Sequence, residues 1–337
     1  MLFVNKCFDR HEIRVVKFSL FPRKACAMCD TIESAFVAIS RLASGSEATH
    51  NVDPVLFPDG GLRPGELIEI SGDSNSGKSL LCLELIARII LPTSCGGLEL
   101  AAVLIDCENS YSKTVLLSNL EKHILNQAEP ALASTLADPH QLETIQRAAL
   151  SRLHLITCYS LEQFEFSLLA LPALFVKQPE LTFVLIDSIA TFYWTKCTAK
   201  NLIRQDTYQK AHCKTLSRLA GKWRKIVLLT KPSHFGGRQA SGRDFETTSA
   251  AGALSLDGST QASSFAGPLT PLMSTASSAG SLIDHRIELT ETDNPSPGGS
   301  EQGSADQRFS AFITMADKQQ YVRFYLIDKY GINWIEA

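Results

Sequence analysis

The sequence predicts an α/β fold with a mostly parallel sheet flanked by helices and a C-terminal antiparallel extension. Five short apolar runs follow one another between longer segments of helical character. Each run is continuously apolar, which is typical of strands buried on both faces of a parallel sheet. Hydrophobic residues make up 45% and charged residues 20% of the 337 positions, the balance of a globular protein with a sizeable core. The alternation of strands and helices therefore favours a doubly wound sheet.

The first five predicted strands share their apolar character and their length. They are ELIEIS (66–71), AAVLIDC (101–107), LHLITC (153–158), LTFVLID (181–187) and KIVLLT (225–230). Crossover helices are expected between them, because parallel neighbours cannot be joined by a tight turn. The clearest is SLLCLELIARII (79–90), which Pro92 ends.

Beyond Pro232 the composition changes. Residues 236–281 are dominated by Ser, Gly, Ala and Thr, and such a segment cannot bury enough apolar surface to offset its ordering entropy. We therefore predict a low-complexity, disordered insertion. Strand-like alternation then returns in four segments: LIDHRIELTE (282–291), RFSAFITMA (308–316), YVRFYLID (321–328) and INWI (332–335). They are expected to extend the sheet at its far edge as antiparallel strands.

The first 27 residues carry basic and aromatic side chains and are predicted to be an extension outside the fold. A transit peptide, a dispensable leader and a start assigned upstream of Met28 are the alternatives, and Asp9 and Glu12 weigh against the first. The predicted organisation has five parts: a disordered N-terminal extension (1–27), a helical or linker segment (28–60), the α/β core (61–235), the insertion (236–281) and C-terminal strands that complete the sheet (282–337).

Charge, hydropathy and cysteine usage exclude several classes of protein. The formal net charge is −3, so any nucleic-acid-binding surface must be local. No apolar run approaches the ~20 residues that span a bilayer, so no membrane association is expected. The nine cysteines are scattered, mostly in apolar stretches, as in a reduced intracellular protein. Cys26 and Cys29 form the one C-x-x-C, and zinc is disfavoured because no second Cys or His pair follows at finger spacing.

The stretch between the first strand and the first helix matches G-x-x-x-x-G-K-[ST], the phosphate-binding P-loop, at Gly72, Gly77, Lys78 and Ser79. Its glycines allow backbone N–H groups to point inward at a phosphate, and the helix N-terminus adds partial positive charge. Lys78 is expected to reach the β- and γ-phosphates and Ser79 to bind Mg²⁺. A chance glycine-rich turn is the alternative, and the strand and helix on either side argue against it.

A carboxylate on the magnesium side is predicted at Asp187, which ends the fourth strand at the edge where ligands gather in open α/β sheets. A strand-end turn residue is the alternative. The second strand ends in LIDCEN, where Asp106 and Glu108 are two residues apart and share a face. Glu108 is the candidate that orients or activates water, with Asp106 as a supporting acid. Caps of the next helix remain the structural alternative for both.

Residues 196–231 carry ten basic side chains and a single acid, Asp206. Four of these cations recur at every fourth position and share one stripe of a helix: Lys210, Lys214, Arg218 and Lys222. Like charges at that spacing repel by about 0.2–0.5 kcal/mol per pair, which an anionic partner would relieve. DNA phosphate, an acidic protein surface and a simple solvated face all remain open.

Aromatic side chains follow Asp187 directly. Phe192, Tyr193 and Trp194 stand beside Lys196, and aromatics next to cations can stack on single-stranded bases. Packing in the core is the alternative.

The order strand, P-loop, helix, strand ending in D-x-E, then an apolar strand ending in D-S resembles the RecA-like recombinase ATPases. Four segments are similar to the eukaryotic recombinase paralogues within that family: 28–45, 87–112, 183–194 and 321–335. The resemblance covers about 28–235 and 282–335 and implies a RecA-like P-loop core. It also implies a nuclear protein of homologous-recombination repair of DNA double-strand breaks and stalled forks. Such proteins work in a complex of recombinase paralogues that helps the main recombinase assemble on single-stranded DNA.

The resemblance assigns roles by position. It implies ATP and Mg²⁺ as cofactors, the paralogue called D as the expected neighbour, and Lys78 with Glu108 as the catalytic pair. The residues it places on nucleotide and metal are Gly72, Asp73, Ser74, Asn75, Ser76, Gly77, Lys78, Ser79 and Asp187. The candidate DNA-binding residues are Lys196, Lys200, Lys210, Lys214, Arg218 and Lys222.

The sequence departs from this family after the fifth strand. The full recombinases have an Asn-Gln pair there that senses the nucleotide state, whereas this chain has Lys231-Pro232. The lack of an Asn-Gln pair at this position favours an assembly subunit over an autonomous recombinase. Three functions stay open: a nucleotide-binding subunit with slow or absent hydrolysis, an active DNA-stimulated ATPase, and a P-loop kinase of a small metabolite.

Overall fold

The structure is a computed structural model, and it describes residues 14–15, 49–127, 139–197, 202–236, 282–292, 307–328 and 331–335. Of residues 14–15 it describes the backbone alone. Cys26, Cys29, Lys200 and, apart from Gly236, the predicted insertion lie outside these ranges.

Ten described strands form one sheet. They are β1 (Arg14–Val15), β2 (Leu67–Gly72), β3 (Ala101–Asp106), β4 (Leu153–Thr157), β5 (Leu181–Asp187), β6 (Ile226–Pro232), β7 (His285–Glu291), β8 (Arg308–Thr314), β9 (Gln320–Asp328) and β10 (Gly331–Ile335). Their order across the sheet is β1-β4-β3-β5-β6-β2-β7-β8-β9-β10. The predicted strands are confirmed, with ends that differ by at most three residues.

The described helices are six. They are α1 (Lys78–Ile90), α2 (Lys113–Gln127), α3 (Pro139–Leu150), α4 (Leu161–Lys177), α5 (Tyr193–Lys196) and α6 (Gln205–Trp223), with a 3₁₀ turn at Thr93–Cys95. Among these helices, none is long and apolar enough to cross a membrane.

Helices cover both faces of the central strands, as the continuous apolar runs require. Alternate residues of a strand point to opposite faces, so Leu104 packs in the layer of α1 and α2 while Ile105 packs in the layer of α4 and α6. Both side chains are at most 3% exposed. The strands in the middle of the sheet are therefore mostly apolar on both faces, and Glu69 in the middle of β2 is a buried exception.

The strand that follows the predicted insertion differs from expectation in one respect. β7 pairs in parallel with β2, with Ile70 opposite Ile287. The pairs β7–β8, β8–β9 and β9–β10 are antiparallel. β2 is thus flanked by parallel strands on both sides, β6 and β7. The carboxyl end of β2, where the P-loop begins, is consequently enclosed by two strands that run in the same direction.

Two predicted boundaries look different in the structure. Residues 49–60 belong to the predicted helical or linker segment (28–60), yet Leu56 and Phe57 have no exposed surface and belong to the main core cluster. Within the predicted N-terminal extension, β1 pairs in parallel with β4, with Arg14 opposite His154. The apolar residues in the 49–60 stretch are too few and too irregular to show a periodic pattern, so the sequence gives no sign of this packing.

Candidate nucleotide-binding site

The P-loop occupies the turn between β2 and α1. Asn75 and Gly77 have left-handed backbone angles, with φ of 66° and 87°. At Gly72 a side chain would collide with the Ser76 hydroxyl and come within 2.7 Å of the Leu289 carbonyl oxygen. The two motif glycines are therefore required by close approach and by backbone angle respectively. A concave loop of this shape at a helix N-terminus fits a phosphate group.

Lys78 begins α1 and folds back over this loop. Its ammonium donates to the carbonyl oxygens of Gly72 (3.0 Å) and Asp73 (2.7 Å). Burial lowers the pKa of Lys78, while the carboxylates of Glu108, Asp187 and Asp73 oppose that shift. The predicted nucleotide lysine and both predicted acids therefore lie within electrostatic reach of one another.

The other loop residues surround Lys78. Asp73, Ser74 and Asn75 are exposed, Ser76 is buried, and Ser79 is half-buried as the second residue of α1. The Ser76 hydroxyl donates to the Asp73 carbonyl oxygen (2.9 Å) and so closes the loop on itself.

Asp187 ends β5 and is buried, with 3% of its surface exposed. Its Oδ1 accepts a hydrogen bond from the Thr230 hydroxyl (2.5 Å), and its Oδ2 accepts one from the Ser110 hydroxyl (2.9 Å). Each oxygen of this buried carboxylate thus has a hydrogen-bond donor. Sequence reasoning missed both donors: Thr230 is visible only as the polar end of KIVLLT, and Ser110 has no signal at all.

The two acids at the end of β3 have different surroundings. Glu108 is exposed, and its Oε1 accepts from the Thr191 hydroxyl at 3.4 Å. Partial burial of its carboxyl group raises the pKa of Glu108, Asp187 raises it further, and Ser188 and Lys78 oppose the shift. A carboxylate with a raised pKa is suited to accept a proton from water.

Asp106, in contrast, is 1% exposed and braces the loop after β3. Its Oδ1 accepts from the Ser110 N–H and its Oδ2 from the Tyr111 N–H, each at 3.1 Å. Both oxygens are thus engaged by backbone groups, which favours the structural alternative for this residue over the supporting acid expected from sequence.

Residues of the C-terminal strands contact the P-loop. Tyr325 of β9 has no exposed surface, and its hydroxyl donates to the Ser76 carbonyl oxygen at 2.6 Å. A side chain at Gly77 would come within 3.0 Å of the Ile327 Cδ1 atom. Residues far apart in the chain therefore hold the loop in shape, which the sequence could not indicate.

Lys231, the residue before Pro232 at the end of β6, is buried. It is 7% exposed, and its ammonium lies 3.3 Å from Glu69 Oε1 and 3.0 Å from the Phe235 carbonyl oxygen. Glu69 is held in turn by Gln209 Nε2 at 2.6 Å. Lys231 and Glu69 thus form a buried ion pair between β6 and β2.

The cationic stripe predicted on one helix lies on α6, and all four of its side chains are exposed. Lys210 is paired with Asp206 at 2.9 Å, whereas no acid among the described residues pairs with Lys214 or Arg218. The ammonium of Lys222 lies 5.8 Å from the Trp223 ring centroid. Outside the stripe, Lys196 is paired with Glu165 at 2.5 Å.

The aromatic residues after β5 divide between core and surface. Phe192 and Tyr193 are 8% and 6% exposed, so for them the core interpretation holds. Trp194 is 72% exposed and is the member of this group that could meet a ligand. No group of three or more potential metal-binding His, Cys, Asp or Glu side chains occurs among the described residues.

The order of the strands, the P-loop and the acid at the end of β5 together define a RecA-like α/β protein. The model of the family described as Rad51 matches residues 37–239, and the chain belongs to this family.

Named relatives give this membership more detail. The chain is 28% identical over 212 residues to the DNA repair protein XRCC2 of Mus musculus, covering 62% of this chain and 70% of that protein. It is 31% identical over 215 residues to the DNA repair protein RAD51 homolog 2 of Mus musculus, covering 61% of this chain and 56% of that protein. The chain thus spans little more than half of the latter. Among solved structures, the RadB recombinase is 19% identical, with a TM-score of 0.49 over 86% of this chain.

Proposed function

We propose that this chain binds ATP with Mg²⁺ at the P-loop and acts as a subunit of a recombinase-paralogue complex. The observation that supports it best is the convergence of Lys78, Asp187 and Glu108 at one edge of the sheet in a chain of the Rad51 family. The backbone of residues 72–77 and the Lys78 ammonium would hold the triphosphate, and Ser79 and Asp187 would hold the magnesium ion. Bound Mg²⁺ supplies charge neutralisation for the phosphate oxygens.

Each residue of the site has a separate task in this proposal. The Lys78 ammonium would exchange its two carbonyl acceptors for phosphate oxygens, which form stronger charge-assisted hydrogen bonds. Thr230 and Ser110 keep the Asp187 carboxylate oriented toward the same edge. Glu108 is exposed at that edge and would orient a water molecule.

The experiment is a titration with a fluorescent ATP analogue in the presence of Mg²⁺. The variant Lys78→Ala should weaken binding by about 10- to 100-fold, the range for loss of a hydrogen bond to a charged group. Lys177→Ala, which removes an exposed cation at the end of α4, is the matched control and should bind like the wild type. Equal affinity of the wild type and the Lys78 variant would reject the nucleotide site.

The relatives' names support a role in DNA repair, since both mouse proteins are called DNA repair proteins. We infer that the chain acts in the nucleus, in homologous-recombination repair of DNA double-strand breaks and stalled forks. There it helps recombinase assembly on single-stranded DNA. The DNA surface is the exposed stripe of α6, together with Trp194 and the residues after β5.

The subunit role predicts stable association with other recombinase paralogues, and with paralogue D first among them. Co-expression with each paralogue in turn, followed by size-exclusion chromatography, tests it. Co-elution in stoichiometric amounts is the expected result. Elution as a monomer with every paralogue would argue against the subunit role while leaving nucleotide binding intact.

A DNA-stimulated ATPase is the second candidate, and Glu108 is the observation that favours it. The exposed Glu108 carboxylate, with its raised pKa, supports this candidate because a general base must accept a proton from water. If the chain turns over ATP, Glu108→Gln should lower the steady-state rate by about 10²- to 10⁴-fold. Glu121→Gln on α2 is the control. Membership of the Rad51 family weighs against the third candidate, a metabolite kinase.

A further inference from the structure

Two cysteine residues stand side by side where β3 and β4 end. Asp106 and Thr157 are the last pair of the ladder between these strands, and Cys107 and Cys158 follow them directly. The Cys158 N–H donates to the Asp106 carbonyl oxygen at 2.9 Å, so the strands are still joined at this point. Both cysteine side chains are buried in the layer of α4 and α6, on the same face of the sheet.

This placement suits a disulfide bond. Neighbouring strands lie about 4.7–4.9 Å apart, and disulfides join residues whose Cα atoms are about 4.4–6.8 Å apart. The thiols of Cys107 and Cys158 are within hydrogen-bonding reach of each other. A bond of about 2.0 Å between the two sulfur atoms therefore requires no rearrangement of the strands.

The surroundings of Cys158 favour its reactive form. A hydrogen bond from the Cys107 thiol lowers the pKa of Cys158, and burial opposes this shift. The Ser167 hydroxyl lies 3.5 Å from Cys158 Sγ and provides a second polar contact. The thiolate is the form that reacts with oxidants. Cys158 itself is 1% exposed, but Tyr159 is 65% exposed, so a local opening of the loop between β4 and α4 admits a small oxidant.

The other four described cysteines lack this arrangement. Cys82 lies in α1, Cys95 in the 3₁₀ turn and Cys213 in α6, while Cys197 follows α5. Within the described part of the chain, none of these four faces another cysteine across paired strands. Burial as a small apolar residue is sufficient to explain a cysteine such as Cys213, but it does not explain why two thiols meet at one strand end.

We propose that Cys107 and Cys158 are an oxidation site, at which a hydroperoxide converts the two thiols reversibly into a disulfide. The Cys158 sulfur attacks one peroxide oxygen, so that an S–O bond forms and the O–O bond breaks. The leaving oxygen takes up the proton of Cys158. The Cys107 sulfur then displaces the oxygen of this sulfenic acid, which leaves as water with the Cys107 proton as the S–S bond forms. Two thiols are thus oxidised, and the peroxide is reduced to water and an alcohol, or to two water molecules if it is H₂O₂.

The disulfide would form beside the candidate nucleotide site. Cys107 stands between Asp106 and Glu108, and the N–H groups of Cys107 and Glu108 both donate to the Asp187 carbonyl oxygen, at 2.6 and 3.2 Å. The oxidised pair therefore ties the end of β3 to β4 next to Glu108. Formation of the bond does not depend on nucleotide binding, so this proposal and the proposed function can fail separately.

Peptide mapping of the full-length chain after treatment with H₂O₂ tests the proposal. Mass spectrometry without a reductant should find the peptides of Cys107 and Cys158 joined, and dithiothreitol should separate them by thiol–disulfide exchange. Cys158→Ser should abolish this cross-link. Cys213→Ser, which changes a cysteine buried in the same layer, is the matched control and should retain it. If the wild type shows no cross-link under conditions that oxidise its own methionine side chains, the proposal is wrong.

Dimedone, a reagent that traps sulfenic acids, distinguishes the roles of the two thiols. In Cys107→Ser the introduced hydroxyl can still donate to Cys158, and Cys158 should be labelled because no second thiol displaces its oxygen. In Cys107→Ala the labelling should fall by about two- to tenfold, the range for the loss of one hydrogen bond. Equal labelling in both variants would overturn the activating role of Cys107. If neither variant folds, the cross-link in the wild type decides the proposal by itself.

Discussion

Asp187 owes its position to two hydroxyl groups rather than to any charged partner. Thr230 and Ser110 each donate to a different carboxylate oxygen, and the side chain is almost fully buried. Removal of one donor leaves a buried acceptor without a partner, which is the costly direction of a hydrogen-bond change. The stability of the empty protein therefore depends on residues that the nucleotide would never touch.

Thr230→Val should lower the free energy of unfolding by about 1–3 kcal/mol, since valine fills the same space without a donor. Urea denaturation measures this difference. Thr182→Val at the other end of the same sheet is the control, and its effect should stay within about 0.5 kcal/mol because the Thr182 hydroxyl makes only an exposed local contact. Equal effects of the two substitutions would contradict the role given to Thr230.

Lys225 gives the protein a pH dependence in the alkaline range. It is 8% exposed and donates to the Pro179 carbonyl oxygen, and burial lowers its pKa from 10.5 to about 8, which the charge of Glu180 opposes. The folded state therefore binds fewer protons at this site than the unfolded state between these two values. The stability contribution is fully present above pH 10.5 and is lost as the pH falls through about 8.

We expect wild-type stability to gain on the order of 2–3 kcal/mol from this group between pH 8 and 10.5, relative to Lys225→Met. Denaturant unfolding of both proteins across this pH range measures the difference, and other titrating groups cancel between them. Parallel curves for the two proteins would mean that the pKa of Lys225 is the same in the folded and unfolded states.

At the scale of elements, β2 and β6 are joined by more than their backbone ladder. Lys231 and Glu69 form a buried ion pair on the face covered by α6, where Gln209 completes the hydrogen bonding. Burying two charges is expensive, and the attraction between them offsets that expense only while both are present. The pair thus links the side chains of the two strands beside the P-loop.

Glu69→Gln and Lys231→Met should each lower the free energy of unfolding by about 3–5 kcal/mol, because each leaves the other group buried and unpaired. The double variant should be more stable than the sum of the two losses predicts. A double-mutant cycle of urea unfolding measures this coupling. Simple additivity would show that the two groups do not interact in the folded protein.

Elements of the fold differ in how well the sequence predicts them. The strands β2 to β6 were predictable because a continuous apolar run of this length suits only a strand buried on both faces. The parallel direction of β7 was not predictable, because the direction of a strand depends on how the preceding segment crosses the sheet. The residues of the strand itself do not indicate it. In the same way, the Lys231 side chain could be identified as a departure, but the partner that neutralises it, Glu69, lies 162 positions away.

Over the whole molecule, the net charge of −3 means that the proposed DNA binding would depend on a local basic surface. Two of the six predicted DNA-binding cations, Lys196 and Lys210, are already paired with acids. Lys214 and Arg218 are exposed and have no acidic partner among the described residues. The structure therefore distinguishes Lys214 and Arg218 from the cations that are paired with acids, which the spacing in the sequence could not do.

Lys214→Ala and Arg218→Ala should each reduce the slope of log K against log salt for single-stranded DNA by about 0.7, the value for one lost phosphate contact. Lys210→Ala should change it less, and Lys177→Ala on α4 not at all. Fluorescence anisotropy at several salt concentrations measures the slope. An unchanged slope in the first two variants would mean that the stripe is a solvated face.

The candidate site was predictable to the extent that it is local in the chain. The P-loop spacing and the acid at the end of β5 follow from motif and strand pattern, since the chemistry of phosphate and metal fixes those residue types. The groups that hold them, Thr230, Ser110 and Tyr325, come from other elements and became visible only when the strands were assembled. Asp106 shows the opposite case, where a plausible acid turned out to be engaged by backbone groups.

The bond from the Tyr325 hydroxyl to the Ser76 carbonyl has a consequence for biosynthesis. A ribosome completes the P-loop early, but its supporting tyrosine is added about 250 residues later. Under the proposed nucleotide binding, nascent chains that stop before β9 should therefore fail to retain ATP, and ATP capture would mark only polypeptides whose synthesis has passed that tyrosine.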